Sequence, residues 1–293
     1  MADSPSHKLG QIIGYAMEEA FYDMLLPLAH EFGVYIDRQG LRQPARKGKF
    51  VTWVDDHDNK HNLDFVLERG GSQETIGTPV AFIESAWRRY TKHSVNKAGE
   101  IANALVPLRR TYVDNRPFLG ALVAGEWTQG GITHMESQAI NVLHLPLSTI
   151  VDAFGTEGVD VYFEEDTDTE HMRRQIARWN SLGEEGQQRV VAALREKASA
   201  QLEEYLDKIR AHLSRKVQSV FILSLHGKGQ TVSSVPEALA LLSAMEMQET
   251  KPDEMEFVRI EIQVCYSNTD QIDASFTNLA DAMMWLEKNY ATR

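Results

Sequence analysis

Apolar residues recur every three to four positions from residue 9 to residue 32. Ile12, Ile13, Ala16, Ala20, Phe21, Met24, Leu25 and Leu28 fall on one face of a predicted helix. Pro27 lies inside that pattern, where its missing N–H kinks or ends a helix. Residues 34–36 read as a short strand. Residues 50–54 and 63–67 are two β-rich runs joined by an all-polar stretch, 55–62, which is a hairpin signal. Gly70-Gly71-Ser72 ends the second strand. Residues 80–83 are apolar on both faces, as in a strand buried between layers. Ser94 is placed to cap a helix over 95–108. Residues 118–124 are another buried-type strand, and a helical pattern follows from about Glu136. A hairpin feeding a buried strand, then a helix, then another buried strand, predicts a mixed β-sheet flanked by helices on both faces.

The pattern then changes. Residues 159–163 suggest one more strand, and 164–168 form an acidic break. From 169 to 216 the chain reads as helical, with Gly183 and Gly186 marking a turn. Val190, Val191, Leu194, Ala198, Leu202, Leu206 and Ile209 make one stripe on a long second helix. That stripe must be buried, against its own domain or in a homodimer. Residues 217–293 read twice as strand, strand, helix, with turns at 226–229 and 268–270. The helical stretch at 237–242 weakly echoes 281–286. Three parts are expected: an α/β domain over 1–165, a helical segment over 166–216, and an α+β module over 217–293.

Composition narrows the classes. The chain has 293 residues, 43% of them hydrophobic, enough for a substantial core. No apolar run approaches the ~20 residues of a membrane span, and the first residues show no apolar signal region. The single cysteine, Cys265, excludes an internal disulfide framework and reads as a buried small apolar residue. A cytoplasmic protein with no membrane partner is expected. The net charge of −12 disfavours nucleic acid as a partner, but the charge is uneven. Residues 1–130 hold 15 basic and 16 acidic residues, whereas 131–293 hold 15 and 26. A polyanion site therefore belongs in the first half.

Two carboxylates stand out there. Asp64 opens a strand and Glu84 ends the most buried-looking one. A carboxylate in such a place is costly to desolvate unless paired or metal-bound. Sequential strands are usually neighbours, so Asp64 and Glu84 are candidates to share one divalent cation. Mg²⁺ suits such a site, since it takes carboxylate, water and phosphate oxygens, and Mn²⁺ is a possible substitute. A cation so held assists phosphodiester hydrolysis.

Over residues 9–125 the sequence resembles the PD-(D/E)XK nuclease superfamily, with its restriction-endonuclease-like fold. The resemblance rests on a leading helix with Gly14-x-x-x-Glu18, a hairpin whose second strand carries Asp64, and a strand ending Phe82-Ile83-Glu84-Ser85-Ala86. A helix and the strand at 118–124 follow. It implies that Asp64 and Glu84 hold the metal and that Glu18 or Glu19 completes the site. A lysine two residues after the glutamate is expected, but Ala86 stands there. Some members supply the lysine from the following helix. Lys97, or else Lys92, would then act on the water; Lys97 is preferred because a cation in a first helical turn opposes the helix dipole.

The expected activity is that of a Mg²⁺-dependent deoxyribonuclease, like type II restriction enzymes or otherwise serving antiviral defence. The alternative is a catalytically inactive nuclease fold that binds DNA or scaffolds a defence or repair complex. An unrelated α/β regulatory protein with structural carboxylates is a third reading. Candidate DNA contacts are Arg88, Arg89 and His93 beside the site. Arg42, Arg46, Lys47 and Lys49 are further candidates in a basic loop over 38–49, which also carries Arg38 and no acid. Protein partners are expected at the C-terminal module. The cluster Asp55, Asp56, His57, Asp58 and His61 matches no zinc spacing and reads as a solvated turn.

Overall fold

The computed structural model describes residues 4–40, 45–224, 229–248 and 259–290. The chain divides into two compact units. One comprises residues 1–112 and 117–210, the other 113–116 and 211–293.

The first unit opens with α1 (Pro5–Phe32). The Ser4 side chain accepts the His7 N–H at its start, and Gly33 ends it in the left-handed region at φ 59°. Pro27 lies within the helix and does not end it. The strands β1 (Val34–Arg38), β2 (Val51–Val54), β3 (Lys60–Leu63), β4 (Phe65–Arg69) and β5 (Thr78–Arg88) follow. Then come α2 (Ser94–Thr111), β6 (Phe118–Gly125), α3 (Gln129–Ser137), β7 (Asn141–Pro146) and α4 (Leu147–Gly155). Three further helices close the unit: α5 (Thr169–Ser181), α6 (Gly183–Lys197) and α7 (Ser199–Leu213), with the unit boundary inside α7.

The main sheet has the order β1-β4-β5-β6-β7. β4 pairs antiparallel with β1 and β5, while β5, β6 and β7 run parallel. This is the expected mixed sheet. Strand alternation assigns its two faces. Phe82 and Ala86 of β5, with Ala121 and Val123 of β6, pack under Ala98, Ile101 and Leu105 of α2. On the opposite face Phe21 of α1 packs edge-on against Phe65, and Tyr205 of α7 packs on Phe21 and Phe118. Gly120 is needed on that face, because a Cβ there would sit 2.2 Å from the Tyr205 hydroxyl.

Several expectations are corrected. The strand expected over 63–67 is broken at Asp64: β3 pairs with β2 in a separate hairpin, and β4 joins the main sheet. Ser94 is the first residue of α2 and not its side-chain cap; its hydroxyl donates to the Thr91 carbonyl. The helical pattern expected from about Glu136 is not one helix: α3 lies ahead of it and ends at Ser137, and the strand β7 intervenes before α4. Residues 159–163 form no strand. The long helix is two helices, interrupted at Ala198. Its apolar stripe is buried all the same, with α6 packed on α1 and α4.

Arg46 is the sharpest correction in the basic loop. It faces inward, with its side chain 1% exposed. Its guanidinium donates to Asp37 at 2.9 Å, to both oxygens of Glu68 at 2.5 and 2.9 Å, and to the Ser72 and Thr75 carbonyls. A cation so saturated is structural. Arg42 lies outside the described residues, whereas Lys47 and Lys49 are exposed.

The second unit matches the doubled strand-strand-helix pattern. It contains β8 (Val217–Ser224), β9 (Gln230–Val232), α8 (Val235–Gln248), β10 (Ile260–Tyr266), β11 (Gln271–Phe276) and α9 (Leu279–Tyr290). Its antiparallel sheet has the order β11-β10-β8-β9. Val220, Ile222, Ile260, Ile262 and Val264 meet Ala238, Leu242, Ala282 and Leu286 of the two helices. Cys265 falls on the alternate positions of β10 and is only half-buried. Most of the turn at 226–229 lies outside the described residues.

Candidate active site

β4 and β5 pair antiparallel with Phe65 opposite Ile83. One step further along that ladder stand Asp64 and Glu84. The break before β4 thus puts Asp64 beside Glu84, as neighbouring strands allow. Glu84 is 8% exposed and shares the α2 face of β5 with Phe82 and Ala86. Ser85 alternates to the opposite face, toward α1. There its hydroxyl donates to Glu18 Oε1 at 2.7 Å, and its backbone N–H donates to Asp64 Oδ2 at 2.6 Å. Gln39 Nε2 holds the other oxygen, Asp64 Oδ1, at 2.9 Å. Glu18, Asp64 and Glu84 thus meet around one end of the β4–β5 ladder. Glu19 is turned away into an ion pair with Arg38 at 2.8 Å.

The electrostatics fit a crowded, dry cluster of negative charge. Burial, and then repulsion from Asp64, pushes the Glu18 carboxyl up to about 7. Burial also raises Asp64, opposed by the Ser85 backbone N–H. Glu84 is raised well above the carboxylate range, by burial first and by Asp64 second. Lys97 opposes the shift at both Asp64 and Glu84. Its ammonium pairs with Glu100 at 3.2 Å. Lys97 approaches from α2, over the face where Ala86 offers only a methyl group. The small side chain at 86 and the lysine on the next helix are complementary.

Lys92 does not join this cluster. It lies in a 3-10 turn (Thr91–His93) and bonds the Glu165 carboxylate. Arg89 is also spoken for: it is buried and donates to the Phe163 carbonyl and to Glu164. Its expected role on a phosphate is replaced by one in anchoring the 163–164 segment. Arg88 is half-buried. It donates one bond, to the Trp87 carbonyl at 2.8 Å, and its buried Nε has no partner. His93 is exposed at the start of α2. A cavity of about 560 Å³ is walled by Gln11, Gly14 and Glu18 of α1, Ser85 and Arg88 of β5, and Lys97; of the three carboxylates it is Glu18 that lines it.

Glu84 Oε1 is buried without a hydrogen-bond partner. Such an atom calls for a cation or a proton. Among the described residues, no three His, Cys, Asp or Glu side chains converge as a ready-made ion cage. Mg²⁺ does not require one, because it binds through one or two carboxylates together with waters and substrate phosphates. The donor set of Asp64 and Glu84 therefore fits a hard divalent ion. Asp55 organises the turn at 55–61: it accepts from His61, Asn59 and His57, which holds its carboxyl far below the usual range.

Sequence reasoning missed Ser85 and Gln39. Adjacency to Glu84 was the one signal for Ser85, and none pointed to Gln39, which only the loop path brings to Asp64.

No family model and no curated protein matches the chain. A crystal structure of a protein of unknown function aligns at TM-score 0.29 and 11% identity, covering 64% of this chain and 99% of that one. A likeness that low carries no argument. No helix among the described residues is long and apolar enough to cross a membrane.

Proposed function

We propose that the first unit is a metal-dependent deoxyribonuclease of the PD-(D/E)XK type, with its lysine carried on α2. The observation that supports it most directly is the unpartnered, buried Glu84 Oε1 beside Asp64 and Glu18, with Lys97 opposing their charge. Asp64 and Glu84 are the residues that would hold Mg²⁺ or Mn²⁺. A cation bound there would make water more acidic and offset charge on the scissile phosphate.

The chain's own groups do the rest. Arg88, on the wall of the cavity beside Glu18, holds a phosphate oxygen through its guanidinium. Lys97 orients the attacking water and stabilises negative charge that develops on phosphorus. Glu18, with a carboxyl that titrates near neutrality, accepts a proton from that water. Water adds to phosphorus as the bond to the leaving oxygen breaks, in line. The near-neutral charge of residues 1–130 and the exposed Lys47, Lys49 and His93 allow a polyanion to approach this unit.

The test is incubation with supercoiled and linear DNA in Mg²⁺, Mn²⁺ or EDTA, with Glu84→Ala and Lys97→Ala alongside. Metal-dependent cuts that disappear in Glu84→Ala support the reading. Metal-dependent cutting that survives Glu84→Ala excludes this site. DNA binding without cleavage by the wild type favours the inactive, DNA-binding alternative.

A further inference from the structure

Two of the three carboxylates are held by one residue. Ser85 uses its backbone N–H for Asp64 Oδ2, and its hydroxyl, which donates to Glu18 Oε1, also lies against the Asp64 carboxylate. The first bond follows from the pairing of β4 with β5. The second crosses from the sheet to α1, 67 positions away in the chain. Strand alternation explains why a residue next to Glu84 does this work. Glu84 faces α2 and Lys97, so its neighbour must face α1 and Glu18. The strand thus carries one carboxylate itself and reaches the other two through the next residue.

Glu18 needs such a partner. A carboxylate on a helix has several accessible rotamers, and repulsion from Asp64 favours those that turn it away. A hydroxyl 2.7 Å from Oε1 selects the inward one. We infer that Ser85 is a positioning residue for cation binding, acting through Glu18: its hydroxyl holds the helix carboxylate against Asp64 so that both face one divalent ion. The inference rests on the metal-site reading above and specifies how the site is assembled. Partners of this kind commonly alter metal affinity 10- to 100-fold.

The experiment is direct Mn²⁺ binding to the full chain at fixed pH, read as free Mn²⁺ by electron paramagnetic resonance. Wild type, Ser85→Ala, Ser85→Thr, Glu18→Gln and the double variant Ser85→Ala/Glu18→Gln are compared, with circular dichroism to confirm folding. Ser85→Ala leaves the backbone bond to Asp64 in place, so about tenfold weaker binding is expected. Ser85→Thr keeps the hydroxyl and should restore affinity. In the Glu18→Gln background, Ser85→Ala should cost clearly less than it does in the wild type, because the main group it acts through has changed.

Additive losses in the double variant, or undiminished Mn²⁺ binding by folded Ser85→Ala, overturn the inference and leave the metal-site reading intact. A wild-type chain that binds no Mn²⁺ overturns both. Should Ser85→Ala fail to fold, the Thr variant and the Glu18→Gln comparison decide: Thr binding tenfold weaker than wild type, or Glu18→Gln binding as wild type does, counts against it.

Discussion

Glu18 shows how position changes the chemistry of a common side chain. Its carboxyl is held at about 7, against an ordinary 4.5. The folded chain therefore keeps a proton there that the unfolded chain has lost. Stability from this group falls as pH rises from about 4.5 to about 7, and the penalty is complete above that range. In EDTA at pH 8, Glu18→Gln should stabilise the protein by roughly 1–3 kcal/mol, with little gain at pH 4. Urea unfolding at both pH values checks the sign; a gain of equal size at pH 4 and pH 8 would refute this account. Lys97 acts in the opposite sense. Lys97→Met removes the cation that opposes the shifts at Asp64 and Glu84. It should lower cleavage by about 10²–10⁴-fold while DNA binding persists, as measured by single-turnover rates beside a binding isotherm.

Among the elements, the basic loop after β1 illustrates a limit of reading charge along a line. Five cations and no acid over 38–49 make every one of them look like a phosphate contact. Arg46 is instead buried between Asp37 of β1 and Glu68 of β4, adjacent strands whose pairing brings the two acids together. Arg46→Met should cost about 3–5 kcal/mol, because it leaves two buried carboxylates without their cation. Thermal unfolding measures the loss, and a cost under ~1 kcal/mol would show the cluster to be solvated. The helices tell a complementary story. The apolar stripe from Val190 to Ile209 was legible and is buried, yet the break at Ala198 was not, because a stripe records which face is covered and not where the backbone turns. β7 was missed for a related reason. Its six residues alternate weakly, and only pairing with β6 gives them extended structure.

For the whole molecule, the proposed metal site predicts a stability that depends on divalent cation. An ion that binds only the folded chain stabilises it by mass action, about 2.7 kcal/mol at 100 times its Kd. Mg²⁺ should therefore raise Tm in a concentration-dependent way, and Glu84→Ala should abolish the rise. An unchanged Tm in wild type up to tens of millimolar Mg²⁺ would count against the site. The acidic second unit should take no part in this response, since the candidate ligands all belong to the first.

The elements α1, β1, β2, β5, α2 and β6, the doubled motif after residue 216 and the prominence of Asp64 and Glu84 were set by the sequence alone. Each follows from local periodicity, or from a charge lying beside an apolar run. The tertiary structure decided the rest. It brought Glu18 to Asp64 through Ser85, set Lys97 near Asp64 and Glu84 and Lys92 against Glu165, turned Arg46 and Arg89 inward, and broke the strand at Asp64. The physical reason is the same throughout: these outcomes depend on which elements become neighbours and in which register. Pairing energy between residues far apart in the chain leaves no periodic trace along it.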